Sequence, residues 1–299
     1  MSCLSESEAG DPIRVLHEAS GVVALWKPAG WPTQAPTGIA SAESWLRGRP
    51  SAAASGGYLG VPHRLDRAVS GVLLLATTPR AARQLSRQFE RRQVRKRYLA
   101  MVTDAGGVPG RLPAPGTVAV WTDCIEKIPD RPQARIVAAD TAGGREAVTE
   151  VRVVATLPNG QLLLALAPLT GRMHQLRLQA ASRGVPIVGD ELYGSPIFDW
   201  CAASAADAPV VDPRSRPIAL HASSISYADP DSAEAIIVEA TLPTYWPAAA
   251  RESAVSCRRS LAEPGDCATR TGGEGPPTPR EPAYDDERSQ DGGAKSASE

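Results

Sequence analysis

The sequence predicts an α+β fold with a mixed or antiparallel central sheet and flanking helices. Three observations lead there. Segments of strand and of helical character alternate irregularly, without the run of βαβ units that a doubly wound sheet needs. The apolar runs, such as Val72–Ala76 and Leu162–Leu166, have the length of buried strands and fall well short of the ~20 residues of a membrane helix. Aromatic residues are 5% of the 299, with two Phe, so the core must be built mostly of Leu, Val, Ile and Ala. A chain this long buries such a core without metal or disulfide staples.

The elements follow in order. The polar first ten residues lack a basic segment leading into an apolar one, which argues against a signal peptide and for a cytoplasmic protein. Residues 14–27 read as two short strands around a turn at Glu18–Gly21, and Pro28-Ala29-Gly30-Trp31-Pro32 breaks into a loop. Ser41 caps a short helix to Arg47, with Ala42, Trp45 and Leu46 on one side. Residues 48–60 are small and polar, a surface loop. Val72–Ala76 is a central strand. Pro79–Gln93 is the best helix, with proline at its start and Ala82, Leu85 and Phe89 at spacings of three and four. Arg97–Thr103 returns to strand. Four Gly and three Pro mark residues 104–118 as loop, and strands follow near 118–121, 134–139, 147–155 and 161–167. Arg172–Ser182 reads as a helix ended by Gly184. After an irregular stretch at 195–216, Ile218–Tyr227 and Ala235–Ala240 close the sheet. From about Ala248 the composition turns to Ser, Gly, Pro, Glu and Arg, too polar to order itself. The expected division is a disordered N-terminus (1–10), one folded domain (11–247) and a disordered polar tail (248–299).

The net charge of −1 hides an asymmetry. Between Val61 and Ala100 ten basic residues face two acidic ones, +8 in forty residues. Such a segment suits a polyanionic partner, nucleic acid first, and equally a solvated helix face. Arg80, Arg83, Arg87 and Arg91 form a stripe at three- and four-residue spacing. The five cysteines form no CxxC pair and the four histidines no HxxxH, so neither a disulfide framework nor a metal site has support. Neither GxGxxG nor GxxxxGK[ST] occurs, so no cofactor is expected.

Two segments concentrate chemistry. In His63-Arg64-Leu65-Asp66-Arg67-Ala68-Val69-Ser70-Gly71 an acidic residue sits between two arginines where a loop enters the apolar strand. A surface ion pair would use the same residues. Thr170-Gly171-Arg172-Met173-His174-Gln175-Leu176-Arg177 opens a helix after an apolar strand. Arg172 and Arg177, five helical positions apart, cannot share one face, so one faces a cleft and one solvent. His174 has no metal-partner spacing, and a hydrogen-bonded structural imidazole reads as well there.

These residues carry a resemblance. HRLDRAVSG followed by VLLLA resembles the catalytic motif of the RluA family of pseudouridine synthases. FERRQVRKRYLAMV resembles the next motif, TGRMHQLRLQ…GVPIVGDELYG the third, LHASSISY the closing strand and VVALWKPAGWPT the opening strand and loop. The five stand in the family's order across about residues 13–247. Val69 stands where Thr is usual, Met173 where Thr or Ser is usual, and Gln179 replaces a frequent His.

The resemblance implies the pseudouridine synthase catalytic fold crossed by an RNA-binding cleft. It implies isomerisation of specific uridines in transfer or ribosomal RNA, with neither cofactor nor metal; a monomer is the default expectation. Asp66 matches the catalytic aspartate, which attacks or deprotonates the ribose. Tyr98 matches the tyrosine that stacks on the target base, and Arg177 the arginine that pairs with the carboxylate. Arg64 matches a position implicated in displacing the base, a step that costs a few kcal/mol. Arg67, Arg83, Arg87, Arg91, Arg172 and His174 are the further RNA-binding candidates, the stripe as phosphate contacts. No S4-type domain is expected before residue 13, which leaves RNA recognition to the catalytic domain. The rival readings are a catalytically silent RNA-binding protein on the same fold, and a hydrolase with Asp66 as nucleophile. A hydrolase lacks support from a second carboxylate, metal site or phosphate loop.

Overall fold

The computed structural model describes residues 13–50, 56–103, 112–195, 200–201 and 215–261. The expected disorder at 1–10 and beyond residue 261 concerns residues outside that set. Among the described residues ten strands form one sheet: β1 (Arg14–Ala19), β2 (Val22–Lys27), β3 (Ser70–Ala76), β4 (Arg95–Val102), β5 (Ala119–Lys127), β6 (Ala134–Val137), β7 (Arg145–Thr156), β8 (Leu162–Pro168), β9 (Leu220–Ala228) and β10 (Ala235–Glu239). Their order is β1-β2-β3-β9-β4-β8-β7-β5-β6, with β10 sharing an edge of β9. Every pairing is antiparallel except β3 with β9, so the sheet is mixed, as expected.

The continuous apolar runs have a direct cause. In β2 and β3 every residue is buried, because both faces of the sheet are covered. Val23, Leu25, Leu73 and Leu75 join one core with Leu99, Met101 and Leu163. Their alternating neighbours Val22, Ala24, Trp26, Val72 and Leu74 join the other, with Ala81 and Leu85. Ala81 and Leu85 belong to α2 (Pro79–Glu90), which begins with Thr78 as N-cap and proline in its first turn. Gln88 of α2 pairs with Ala228 through both its amide groups, completing the end of β9 as a strand would. A short α1 (Ala42–Arg47) starts at Ser41, whose side chain closes a capping box with Ser44.

The third helix, α3 (Gln175–Ser182), is three residues shorter at its start than the sequence suggests. His174 is left-handed at φ 52°, so the helix begins after it. It ends as expected at Gly184: Gly184 N–H reaches Ala181 C=O and Val185 N–H reaches Ala180 C=O, a Schellman closure.

The C-terminal boundary corrects the reading. Residue 248 does not open the tail but a fourth helix, α4 (Ala248–Leu261), with Ala250 and Ala254 inside the main core. Alanine carries little hydropathy signal, so a helix that buries only methyl groups looks like polar linker in sequence. Among the described residues no helix is long and apolar enough to cross a membrane.

Candidate active site

Two loops meet one helix at the site. Residues 63–69 lead into β3, the 28–33 loop leaves β2, and α3 faces them. The second loop clamps the first on both sides of Asp66. Thr33 Oγ1 donates to Leu65 C=O and accepts Leu65 N–H. Gly30 N–H donates to Arg67 C=O, and Arg67 Nε donates back to Gly30 C=O. Gly30 has φ +85°, where a Cβ would be strained. Beneath them Lys27, wholly buried at the end of β2, donates to the carbonyls of Pro28 at 2.9 Å, Trp31 at 2.7 Å and Arg67 at 3.4 Å. Burial pulls the Lys27 ammonium down to about 7, partly opposed by Asp66. His63 ties the loop to β3, its Nε2 accepting Leu74 N–H at 2.8 Å, and its ring stacks on Phe89 of α2. Burial lowers that imidazole to about 3, so it is a neutral acceptor. Gly71 lets β3 approach β9, since a Cβ there would strike the Ala222 backbone.

Held this way, Asp66 is about one-third exposed and meets α3. Arg177 Nη1 donates to Asp66 Oδ2 at 3.2 Å. The expected pair exists, yet it is not the arginine's main bond. Arg177 grips Asp190 in a bidentate pair, Nε to Oδ2 at 2.7 Å and Nη2 to Oδ1 at 2.8 Å, with Asp190 1% exposed. Tyr193 covers the guanidinium, 5.0 Å from its ring centre. Asp190 and Tyr193 both lie in the GVPIVGDELYG motif, yet the motif resemblance assigns neither a role. The available signal was a carboxylate and an aromatic in the motif that faces a buried arginine. Asp66 Oδ1 takes no hydrogen bond from the described residues.

Tyr98 stands on β4 where the register against β9 slips, between Arg97 and Tyr98, and such an irregularity re-aims a side chain. Burial, then the Asp66 charge, pushes its phenol well above the ordinary range, so it stays neutral. Asp66, Tyr98 and Arg177 all line one cleft of about 1150 Å³. Arg64, Arg67, Arg172 and His174 line it too. Arg64 is exposed at its edge, while Arg67 is engaged with Gly30 and Arg172 Nε donates to Glu146 C=O. Arg177 faces the cleft and is buried; Arg172 lies outside the helix.

Arg83, Arg87 and Arg91 do not line the cleft. They are exposed, the first two on α2 and Arg91 at its C-cap. Arg80 pairs with Asp231 and Pro230 C=O. The cleft instead receives Arg92, Lys96, Lys127 and Arg131, none of which the stripe pattern singled out. Arg92 is itself left-handed, φ 57°, just past the end of α2. Lys127 ends β5 and Arg131 lies in the β5–β6 connection, whose proximity only the sheet order reveals.

Of the departures, Val69 is a core residue and Met173 packs against the small cluster of Ile125, Ala134, Ala147 and Leu178. Gln179 is wholly buried with its amide satisfied by Thr149, Trp121 C=O, Asp123 and Ala147 C=O. Val69 meets Asp66 only through its backbone, its N–H donating to the Asp66 carbonyl at 3.1 Å.

Residues 21–182 match the family described as RNA pseudouridylate synthase. The chain belongs to that family. It is 35% identical over 189 residues to the dual-specificity RNA pseudouridine synthase RluA of Haemophilus influenzae, covering 62% of this chain and 74% of that one. The protein of the same name from Escherichia coli K12 is 42% identical over 134 residues, 45% of this chain and 57% of the relative. Two human structures share the fold: RNA pseudouridylate synthase domain containing 4, TM-score 0.56 at 23% identity, over 82% of this chain and 92% of that one, and domain containing 1, TM-score 0.58 at 21%, over 85% and 98%. The RluA-like membership drawn from five motifs therefore holds, and with it RNA pseudouridine synthesis, an isomerisation, on an α+β fold.

Proposed function

We propose that this chain converts uridines of structured RNA, in transfer RNA or ribosomal RNA, to pseudouridine, with Asp66 as the catalytic carboxylate. One observation carries the assignment: Asp66 is fixed in the cleft through one oxygen, Oδ2, while Oδ1 is left for a substrate. The N1–C1′ bond breaks, the base turns, C5 bonds to C1′, C5 gives up its proton and N1 gains one. Asp66 attacks or deprotonates the ribose, and both routes need an oxygen not already committed. Arg177, itself immobilised by Asp190, keeps the carboxylate in place. Tyr98 supplies a neutral ring for the extruded base, and Arg64 the cation that takes the base's former place in the stack. The exposed cleft cations and Arg172 serve the phosphates.

A monomer acting in the cytoplasm belongs to the same reading. So does a catalytic unit that runs on through α4: a chain ending after residue 261 keeps its stability, while one ending after 247 loses about 1–2 kcal/mol from the two buried alanine methyls alone.

The test is release of tritium from C5-labelled uridine in transfer-RNA and ribosomal-RNA transcripts. Release from either class, abolished by Asp66→Asn, supports the reading. RNA binding without release leaves the catalytically silent alternative standing. Pseudouridine maps from cells with and without the gene then assign the RNA class.

A further inference from the structure

His174 was expected among the RNA contacts, and its surroundings suggest a different task. Its ring is wedged between two groups of the site. Nδ1 lies 2.7 Å from the Tyr193 hydroxyl, and Nε2 lies 3.7 Å from Asp66 Oδ2, the oxygen that Arg177 also holds. The charged or titratable groups that act on it are Asp66, Arg177 and Asp190, with Tyr193 edge-on at 5.6 Å. Burial outweighs the two carboxylates and lowers the imidazole's affinity for a proton, so the ring is neutral near pH 7.

A neutral imidazole has one donor nitrogen and one acceptor. The Tyr193 hydroxyl receives Ala134 N–H at 3.3 Å and has two acceptors within reach, His174 Nδ1 at 2.7 Å and Ala134 C=O at 3.4 Å. If the hydroxyl donates along the shorter contact, to Nδ1, the imidazole proton sits on Nε2, the nitrogen facing Asp66. His174 is left-handed with no side-chain cap hydrogen bond, in a region where Asn, Asp and His are the enriched non-glycine residues, so an asparagine there costs the backbone little.

We propose that His174 is a positioning residue for Asp66, its Nε2–H directed at Oδ2 because the Tyr193 hydroxyl occupies Nδ1. Arg177 and His174 then approach the same carboxylate oxygen and fix the rotation of the group, so that Oδ1 faces the ribose. The 3.7 Å gap is slightly beyond a direct hydrogen bond, and it shortens when substrate draws the carboxylate into its working pose. This rests on the reading of Asp66 as the catalytic group.

Two amide variants separate this role from a structural one. In His174→Gln the amide nitrogen falls near the place of Nε2 and can still donate to Asp66. In His174→Asn the amide falls near Nδ1, keeps the Tyr193 bond and suits the left-handed backbone, but stops short of Asp66. The assay is tritium release by the full chain on C5-labelled transfer-RNA and ribosomal-RNA transcripts, with kcat and KM read separately. His174→Ala is expected to lower kcat about 10²-fold, the scale of a misplaced reacting group, with KM little changed. His174→Gln should recover at least about tenfold of that, and His174→Asn should not. Tyr193→Phe should lower kcat without raising KM, because the tautomer is no longer set. A structural role predicts the opposite order, Asn above Gln, with activity following stability, and that order overturns the proposal. If Gln does not fold, an unchanged kcat in Tyr193→Phe overturns it as well. Asp66→Asn run beside them keeps the two claims apart: an active Asp66→Asn protein sinks the underlying reading, and an inactive one with the structural order sinks only this inference.

Discussion

Helices α2 and α3 both carry arginine, and they use it under opposite conditions. Arg83 and Arg87 of α2 and its C-cap Arg91 stand in solvent, while the helix's opposite face packs Ala81 and Leu85 on the sheet. Such cations act through screened, additive charge. On α3 every residue from Gln175 to Ala180 is buried, and Arg177 is 7% exposed with two carboxylates on it. There a charge is tolerable only because geometry and hydrogen bonds match it throughout. The contrast teaches where a single substitution matters: in the buried network each group depends on the next, and on α2 the solvated Arg83 and Arg87 take no part in it.

The largest expected effect tests the network's working end. Asp66→Asn keeps the size of the side chain and removes its charge. Isomerisation should vanish, RNA binding should survive, and stability should change by no more than ~1 kcal/mol, because Arg177 keeps Asp190. Tritium release, a filter-binding curve and a melting curve measure the three. Next comes the anchor. Asp190→Ala leaves a buried guanidinium with only its longer bond to Asp66, so it should destabilise the protein by about 3–5 kcal/mol in chemical unfolding. Arg87→Ala should stay within about 0.5 kcal/mol of the parent. Equal losses at the two sites would erase the contrast.

Lys27 extends the comparison to a buried cation without a salt bridge among the described residues. Its ammonium rests on three carbonyls and is pulled from 10.5 to about 7 in the folded protein. The unfolded chain therefore holds this proton over a range where the folded one has released it, and stability rises with pH across that range. Relative to Lys27→Met, the lysine protein should gain stability as pH climbs from about 7 toward 10.5, and lose it as pH falls through about 7. Denaturant midpoints of both proteins across that window give the answer, and parallel curves would mean that the carbonyls fully compensate the burial.

Much of this was legible in the sequence, for identifiable reasons. Strands β2 and β3 announce themselves because burial on both faces demands unbroken apolar runs. Thr78-Pro79 marks the start of α2, and Gly184 the end of α3, because few residues suit those positions. Asp66, Tyr98 and Arg177 were found through motif resemblance, and the fold brings them into one cleft. What sequence could not show depends on chain segments meeting. Asp190 reaches Arg177 only because the turn after residue 184 folds back over α3, and Lys127 and Arg131 reach the cleft only through the strand order. Helix α4 escaped because Ala250 and Ala254 bury methyl groups too small to register as a hydrophobic face.

The smallest effects decide which cations belong to the RNA. The stripe of Arg83 and Arg87 was legible by spacing, whereas Arg92 and Arg131 are where the cleft is. Neutralising one phosphate releases about one counterion, so each lost contact lowers the slope of log K against log salt by roughly 0.7–0.9. Charge reversal anywhere on a basic face weakens binding somewhat through the long-range field, and that part fades within a Debye length of ~8–10 Å at ordinary salt. The slope, unlike the affinity at one salt concentration, counts contacts. Arg92→Glu with Arg131→Glu should therefore flatten the slope by nearly two contacts, and Arg83→Glu with Arg87→Glu by less than one. Measuring binding of the same transcript from low to high salt for both pairs gives the comparison directly. The reverse result would mean that the RNA runs past the cleft and along α2, and the exposed arginines would then carry the binding that their spacing first suggested.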